Sequence, residues 1–349
     1  MSSTRLVHGG LTAYPHKPWG HFTHSPGPPP TTWLSKSSLS RPRYMGYAFF
    51  INGKIWVVGG CNIYPDGNFA LSDVAWDIEL YDPTQDKWTP QPSPFSKNAV
   101  LPMFGSIGSK IYAFGGEDPS TFAYGSPASA DYAVQEYDTV TKQLRVIKAP
   151  IKYWTRSYDA AVATANNRIY VFGGYNGSAD TSHPNAGFFD TIQEFDGSRW
   201  NVKKSRLARL RFDAAAATTK TSDGNDVVVI MGGFTRNGCF DADTTVEIYD
   251  PKTDTIKTGK DMPNWVDSPT AVTTSDGTVY VLGGHCCGPQ PYVQAYAGDS
   301  WTACTPFPVP RFWHMSAVAV TESQGERIFI IGGCSGPNQV FASVEAGSV

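Results

Sequence analysis

The chain has 349 residues, of which 41% are hydrophobic and only 17% charged, with 34 Gly, 26 Pro, 17 Tyr, 19 Phe and 10 Trp. That profile points to many short strands joined by tight turns, in a length that repeat and closed all-β architectures fill as one unit. A net charge of −3 without a basic run excludes nucleic acid as a partner, and no stretch reaches the roughly 18 apolar residues of a membrane helix.

Residues 1–30 read as a tail set apart from the domain that follows. The tail holds His8, His16, His21 and His24 amid Pro and Gly, together with Tyr14, Trp19 and Phe22. It has no apolar run of signal-peptide length, so a soluble, cytoplasmic chain is expected. The irregular His spacing and the lack of acidic partners favour a draped tail over a metal site. The six cysteines, Cys61, Cys239, Cys286, Cys287, Cys304 and Cys334, include no CxxC pair and form no dense disulfide framework.

From residue 31 onward an apolar run ending in Gly-Gly recurs six times. The copies are IWVVGG ending at Gly60, IYAFGG at Gly116, IYVFGG at Gly174, VVIMGG at Gly233, VYVLGG at Gly284 and IFIIGG at Gly333, spaced 49 to 59 residues apart. Downstream of most copies comes a second signal: IELYDP with Trp88, VQEYD with Leu144, IQEFD with Trp200, VEIYDP with Ile256, and VQAYA with Trp301. Each unit reads strand, strand, Gly-Gly, loop, strand, turn, strand.

A strand ending in Gly-Gly, followed by a Tyr and a spaced Trp, resembles the kelch repeat. The resemblance covers residues 31–349 and implies one six-bladed β-propeller of four-stranded antiparallel blades around a channel. The sixth unit has room after Gly333 for a third strand but no fourth. The segment TTWLSKSSLSRPR, with Trp33, mimics the fourth strand of blade 1 and is expected to close the ring. Truncation before Trp33 is then tolerated and truncation past it destructive.

In such a blade the loops between strands 2 and 3 and the connections from strand 4 to the next strand 1 share one face, where function is expected. The loops at 61–77, 117–133 and 175–190 are long and carry Tyr64, Asp66, Phe69, Phe122, Tyr124, Phe188 and Phe189, a composition suited to a partly apolar pocket. At the entry to each innermost strand, Arg156, Arg211 and Arg311 align, with Arg41 or Arg43 as the blade 1 counterpart beside Tyr44. Two positions on, the side chains diverge to Arg43, Tyr158, Asp213, Asp267 and Trp313, with His314 next in line. Just after each Gly-Gly come Cys61, Glu117, Tyr175, Phe234, His285 and Cys334. His285, Cys334 and Cys61, with Cys286, would suit a soft metal or a thiolate–imidazole pair if they converged, but no metal or cofactor is the expected reading.

Among propellers of this kind, plant specifier proteins carry Glu-x3-Asp-x3-His, which does not occur here. Galactose-oxidase-like copper enzymes are longer, and the compact bacterial sialic-acid epimerases leave no local motif to match. The residues suit a cofactor-independent isomerase, lyase or cyclase of biosynthesis acting on an apolar or aromatic small molecule. In that reading Asp213, Asp267, Glu117 and His314 move protons, Arg156 and Arg211 hold an anion or carbonyl, Trp154, Tyr158, Trp265 and Trp313 form walls with Tyr175 and Phe234, and Arg43, Tyr44 and His285 also bind the substrate. The alternative is a propeller that binds a protein partner through the same face.

Overall fold

The computed structural model describes residues 32–62, 73–96, 101–116, 133–149, 151, 160–175, 187–236, 240–285, 288–311, 315–323, 325–336 and 339–349, without the side chains of 235–242. Among them the architecture is all-β, and no helix is long and apolar enough to cross a membrane. Six four-stranded antiparallel sheets follow one another as blades. Their innermost strands are Tyr47–Ile51, Met103–Ile107, Ala161–Ala165, Ala215–Lys220, Thr270–Thr273 and Ser316–Glu322. Blades 1 to 5 are each built from consecutive chain. Blade 6 is completed by the first strand of the chain, Trp33–Lys36, which pairs antiparallel with Val344–Ser348. The ring therefore closes as the sequence predicts, with Val344–Ser348 paired on both sides.

The core lies between blades. Alternation along each strand gives two apolar faces, and every neighbouring pair of blades buries one cluster between them. Ile55, Val57, Tyr81 and Trp88 of blade 1 meet Val318, Val320, Phe329 and Ile331 of blade 6, for example. Trp88 adds a polar tie, its indole N–H donating to the Ser37 carbonyl oxygen at 2.7 Å, and Trp301 does the same to Lys260 at 2.7 Å. Each indole thus fastens its blade to the connection leaving the preceding one.

The double glycines are the joints of this packing. At Gly332 the backbone has φ +66°, and a Cβ there would overlap the carbonyl oxygen of Arg43 in blade 1. The next amide, Gly333, donates to that same oxygen at 2.8 Å. Gly174 and Gly233 repeat the bond to Arg211 and Val266 of their following blades, at 2.9 and 3.0 Å. The glycines therefore let two backbones approach and bond where any side chain would hold them apart. At the centre, small residues such as Gly46, Ala48, Gly105, Ala161, Ala215, Ala271 and Ala317 leave a channel of about 320 Å³.

Candidate functional site

The entry segments show first what the arginines do. Arg43, Arg211 and Arg311 are buried, and each donates to the first carbonyl of its own Gly-Gly, at 2.9, 2.6 and 2.7 Å. Each then pairs with a buried third-strand Glu: Arg43 with Glu79 at 3.3 Å, Arg211 with Glu247 at 3.2 Å and Arg311 with Glu345 at 2.9 Å. Burial pulls the Arg43 guanidinium down to about 10 against the opposing charge of Glu79. Arg43 thus holds the same post as Arg211 and Arg311, while Arg41 lies at the surface on Asp77. The expected anion-holding and substrate-binding roles of Arg211 and Arg43 find their guanidinium groups bonded inside their own blades.

The entry segments also correct an alignment. Tyr44 bridges Cys61, Phe212 pairs with Phe234, and Asp267 bridges His285, so Tyr44, Phe212 and Asp267 are the equivalent residues. Asp213 belongs one place further on, with Met45, Leu101 and Ser268, all of which turn into the innermost strand with φ between 48° and 57°. Asp tolerates this left-handed backbone better than most residues, whereas Met and Leu adopt it at a cost. Blade 5 lacks the entry arginine that anchors the count, so the one-residue offset is hidden in its sequence.

This offset brings Asp213 and Asp267 together across two blades. The Ser268 amide donates to the Asp213 carbonyl oxygen at 2.9 Å, and the Ser268 hydroxyl lies 3.1 Å from Asp267 Oδ1 and 3.3 Å from Asp213 Oδ2. On the far side Asp267 Oδ2 is 3.3 Å from His285 Nδ1. A hydroxyl carries one hydrogen and can donate to only one carboxylate; the second contact is a hydrogen bond only when that carboxyl brings its own proton. Burial raises the Asp267 carboxyl above its ordinary value, His285 opposing and the Asp213 charge adding to it. Asp267 has 3% of its side chain exposed and His285 34%, so the imidazole is the wet end of this chain of groups.

One consequence is measurable without a ligand. The unfolded chain titrates Asp267 near 3.8 and the folded chain above it, so between these values the folded state binds more protons and stability falls as pH rises. Asp267→Asn, which has no charge to bury, is expected to melt above the wild type at pH 7 and to lose that advantage at pH 4. Melting curves of both proteins at the two pH values check this.

Beside the acidic chain, blades 3 and 4 present an aromatic ladder. Tyr175 stacks on Phe188 with centroids 4.5 Å apart, Phe188 meets Phe212 at 5.3 Å, and Phe212 stacks on Phe234 at 5.1 Å. Phe212 is the residue immediately before Asp213, which joins the ladder to the carboxylates. Trp265, 41% exposed, stands one residue before the buried Val266 on the entry segment that carries Asp267. Neither Ser268 nor Phe212 is singled out by sequence. Counting back from each Gly-Gly through the strand pairing would have found both.

The remaining expected residues are distributed differently. Tyr44 is fully buried in an apolar cluster with Met45, Cys61, Val74, Leu101 and Cys334, away from His285's contact with Asp267. Burial pushes the Cys334 thiol up to about 12, the opposite of what a thiolate ligand or nucleophile needs. Among the described residues no group of three or more His, Cys, Asp or Glu is placed to hold a metal. Glu117, Trp154, Arg156, Tyr158, Trp313, His314 and Cys286 lie outside the described residues, as do Tyr64, Asp66, Phe69, Phe122, Tyr124 and the tail histidines.

Comparison with known proteins agrees with this architecture. The Kelch motif matches residues 156–196. Kelch-like protein 15 of Homo sapiens is 24% identical over 280 residues, covering 74% of this chain and 41% of that protein, and its Danio rerio counterpart is 25% identical over the same length. Kelch repeat and BTB domain-containing protein 12 of Homo sapiens is 27% identical over 201 residues, 53% of this chain and 29% of that protein. The chain thus spans about two fifths of the length of the Kelch-like relatives it matches. The solved structure of YjhT superposes with a TM-score of 0.63 at 14% identity, over 88% of this chain and 95% of that one, a likeness of fold. With six double-glycine blades, the Kelch motif and these relatives in agreement, the chain is a kelch-repeat β-propeller protein.

Proposed function

We propose that the loop face of blades 3 to 5 binds a small, largely apolar or aromatic molecule and moves a proton on it without a cofactor. The observation that carries this reading is the buried Asp267, bonded among the described residues to Ser268 and to a part-exposed His285. A carboxyl raised by burial holds a proton closer to neutral pH, where a general acid is most useful. In this reading Asp267 and Asp213 share protons through the Ser268 hydroxyl. His285 passes one between Asp267 and the bound molecule, and the rings of Tyr175, Phe188, Phe212 and Phe234 hold its apolar body. Reactions that remove a proton at one atom and return it at another, of isomerase, lyase or cyclase type, need nothing further. Glu117 and His314 stay as candidate proton carriers, and Trp154, Arg156, Tyr158 and Trp313 as candidate walls, on their sequence positions alone.

A second reading has its own observation. Trp265 is exposed at the same rim, and an exposed Trp is a common anchor for a protein partner. A thermal-shift screen of small aromatic and apolar compounds separates the two, because a ligand that binds only the folded chain raises its melting temperature. The expected result is a hit whose shift is lost in Phe212→Ala and kept in Asp267→Asn, with turnover of that compound lost in Asp267→Asn. A screen in which no compound shifts the wild type, while Trp265→Ala abolishes capture of a stoichiometric protein, overturns the first reading in favour of the second.

A further inference from the structure

The outermost strand of blade 2, Gln143–Ile147, departs from its counterparts. Outer strands are sheet edges with unpaired backbone groups, and proteins guard them with proline, lysine or short length. Blade 1 carries Pro90 there, blade 3 Lys203 and Lys204, and blade 5 only the four residues Ser300–Ala303. Blade 6 exposes Leu34 at 45% on its outer strand, whereas blade 2 presents a pair, Leu144 at 39% and Val146 at 61% exposure, with Val140 at 64% in the turn that leads into the strand. Leu144 and Val146 are two residues apart and so share one face of the edge. Where blades 1, 3 and 5 place an indole on this strand, blade 2 has the shorter Leu144, and its apolar face continues along the edge.

The charges along the strand say what would cover it. Lys142 and Lys148 flank it and are exposed, and Arg145 stands within it. Two carboxylates stand on the neighbouring strand: Glu136, shared between Arg145 at 2.9 Å and Lys110 at 3.0 Å, and Asp138, opposite Gln143 and bonded by the turn amides of Val140 and Thr141. Lys142 lies over the Trp56 ring at 4.7 Å, a contact that leaves its charge in place. A second copy of the chain would bring the same cations to the same seam, and like charges on facing strands oppose pairing.

We propose that this edge is a docking strand for an extended segment of another protein, apolar at alternate positions with Asp or Glu between them, which adds a fifth strand to blade 2. Main-chain hydrogen bonds along Gln143–Ile147 hold it, Leu144 and Val146 receive its apolar side chains, and Lys142, Arg145 and Lys148 select its acidic residues. The surface lies at the rim of the propeller, independent of the mouth of blades 3 to 5.

Fluorescence anisotropy with two labelled heptapeptides tests it: Asp-Val-Glu-Val-Glu-Val-Asp and its counterpart with Lys at every acidic position. The acidic peptide is expected to bind at least tenfold more tightly than the basic one. Val146→Lys should weaken it at least tenfold without moving the melting temperature, and N-methylation of alternate peptide amides should abolish binding. Equal affinity for both peptides, no binding of the acidic one, or binding unchanged in Val146→Lys would overturn the proposal. So would sedimentation showing a wild-type dimer that Val146→Lys dissolves, since a second copy would then be the occupant.

Discussion

Deleting residues 1–36 is expected to cost the propeller about 5.5–7 kcal/mol, the sum of four edge-strand residues at about 1 kcal/mol per hydrogen bond and a largely covered Trp at about 1.5–3 kcal/mol. Trp33 pairs with Gly347 and Lys36 with Val344, the Trp33 indole donates to the Thr305 carbonyl oxygen at 3.1 Å, and its ring meets Phe307 at 5.9 Å. Without this strand, Val344–Ser348 becomes an open edge and blades 5 and 6 lose their outer cover. Deleting only residues 1–31 keeps every one of these contacts and is expected to leave the denaturation midpoint unchanged. Urea titrations of the two truncations decide the matter. Equal stability would mean that the ring does not depend on this strand for closure.

The second large effect is expected at Glu247. Its carboxylate is bonded to the buried Arg211, with Asp243 as a second nearby anion, and removing the bonded partner of a buried pair costs about 3–5 kcal/mol. Glu247→Ala should therefore unfold at markedly lower urea concentration. Glu247→Gln should lose only about 1–2 kcal/mol, because its amide oxygen still accepts from the guanidinium. The chain itself couples the two residues: blades 1, 4 and 6, with Arg43, Arg211 and Arg311, carry Glu79, Glu247 and Glu345, whereas blade 5, with Val266 at the entry position, carries Gln294. If Arg211 contacted a ligand instead of holding its blade, Arg211→Ala would reduce binding with little change in stability, and Glu247→Ala would be mild.

These two effects belong to the scaffold, and that separation was partly readable beforehand. The entry arginine recurs in the sequence with the regularity of a framework residue, yet its proximity to the loop face suggested a ligand-holding role for Arg211 and Arg43. The partner that decides the matter, a third-strand Glu 34 to 36 residues away, is close only after the blade has formed. Pairing of that range is a property of sheet register, and single-strand patterns do not carry it.

The acidic chain of Asp213, Ser268, Asp267 and His285 shows the same limit from the other side. Asp213, Asp267 and His285 all stand out in sequence as polar residues at varying positions of a repeat. Their connection through Ser268 does not, because Asp213 and Ser268 are equivalent residues of neighbouring blades and meet only once blades 4 and 5 pack side by side. Likewise Tyr44 and Cys61 occupy site-like positions in the repeat, but blade 1 folds them into an apolar cluster.

What the sequence by itself determined is the repeat: six Gly-Gly joints, four strands per blade and the return of the Trp33 strand to finish the last blade. Each of these follows from local pattern, in which apolar alternation and obligatory glycines impose one backbone conformation wherever they recur. What only the tertiary structure decided is which polar residues face one another. Blades meet side by side in space while their equivalent residues stand some fifty positions apart in the chain, so burial and pairing arise only when neighbouring blades pack.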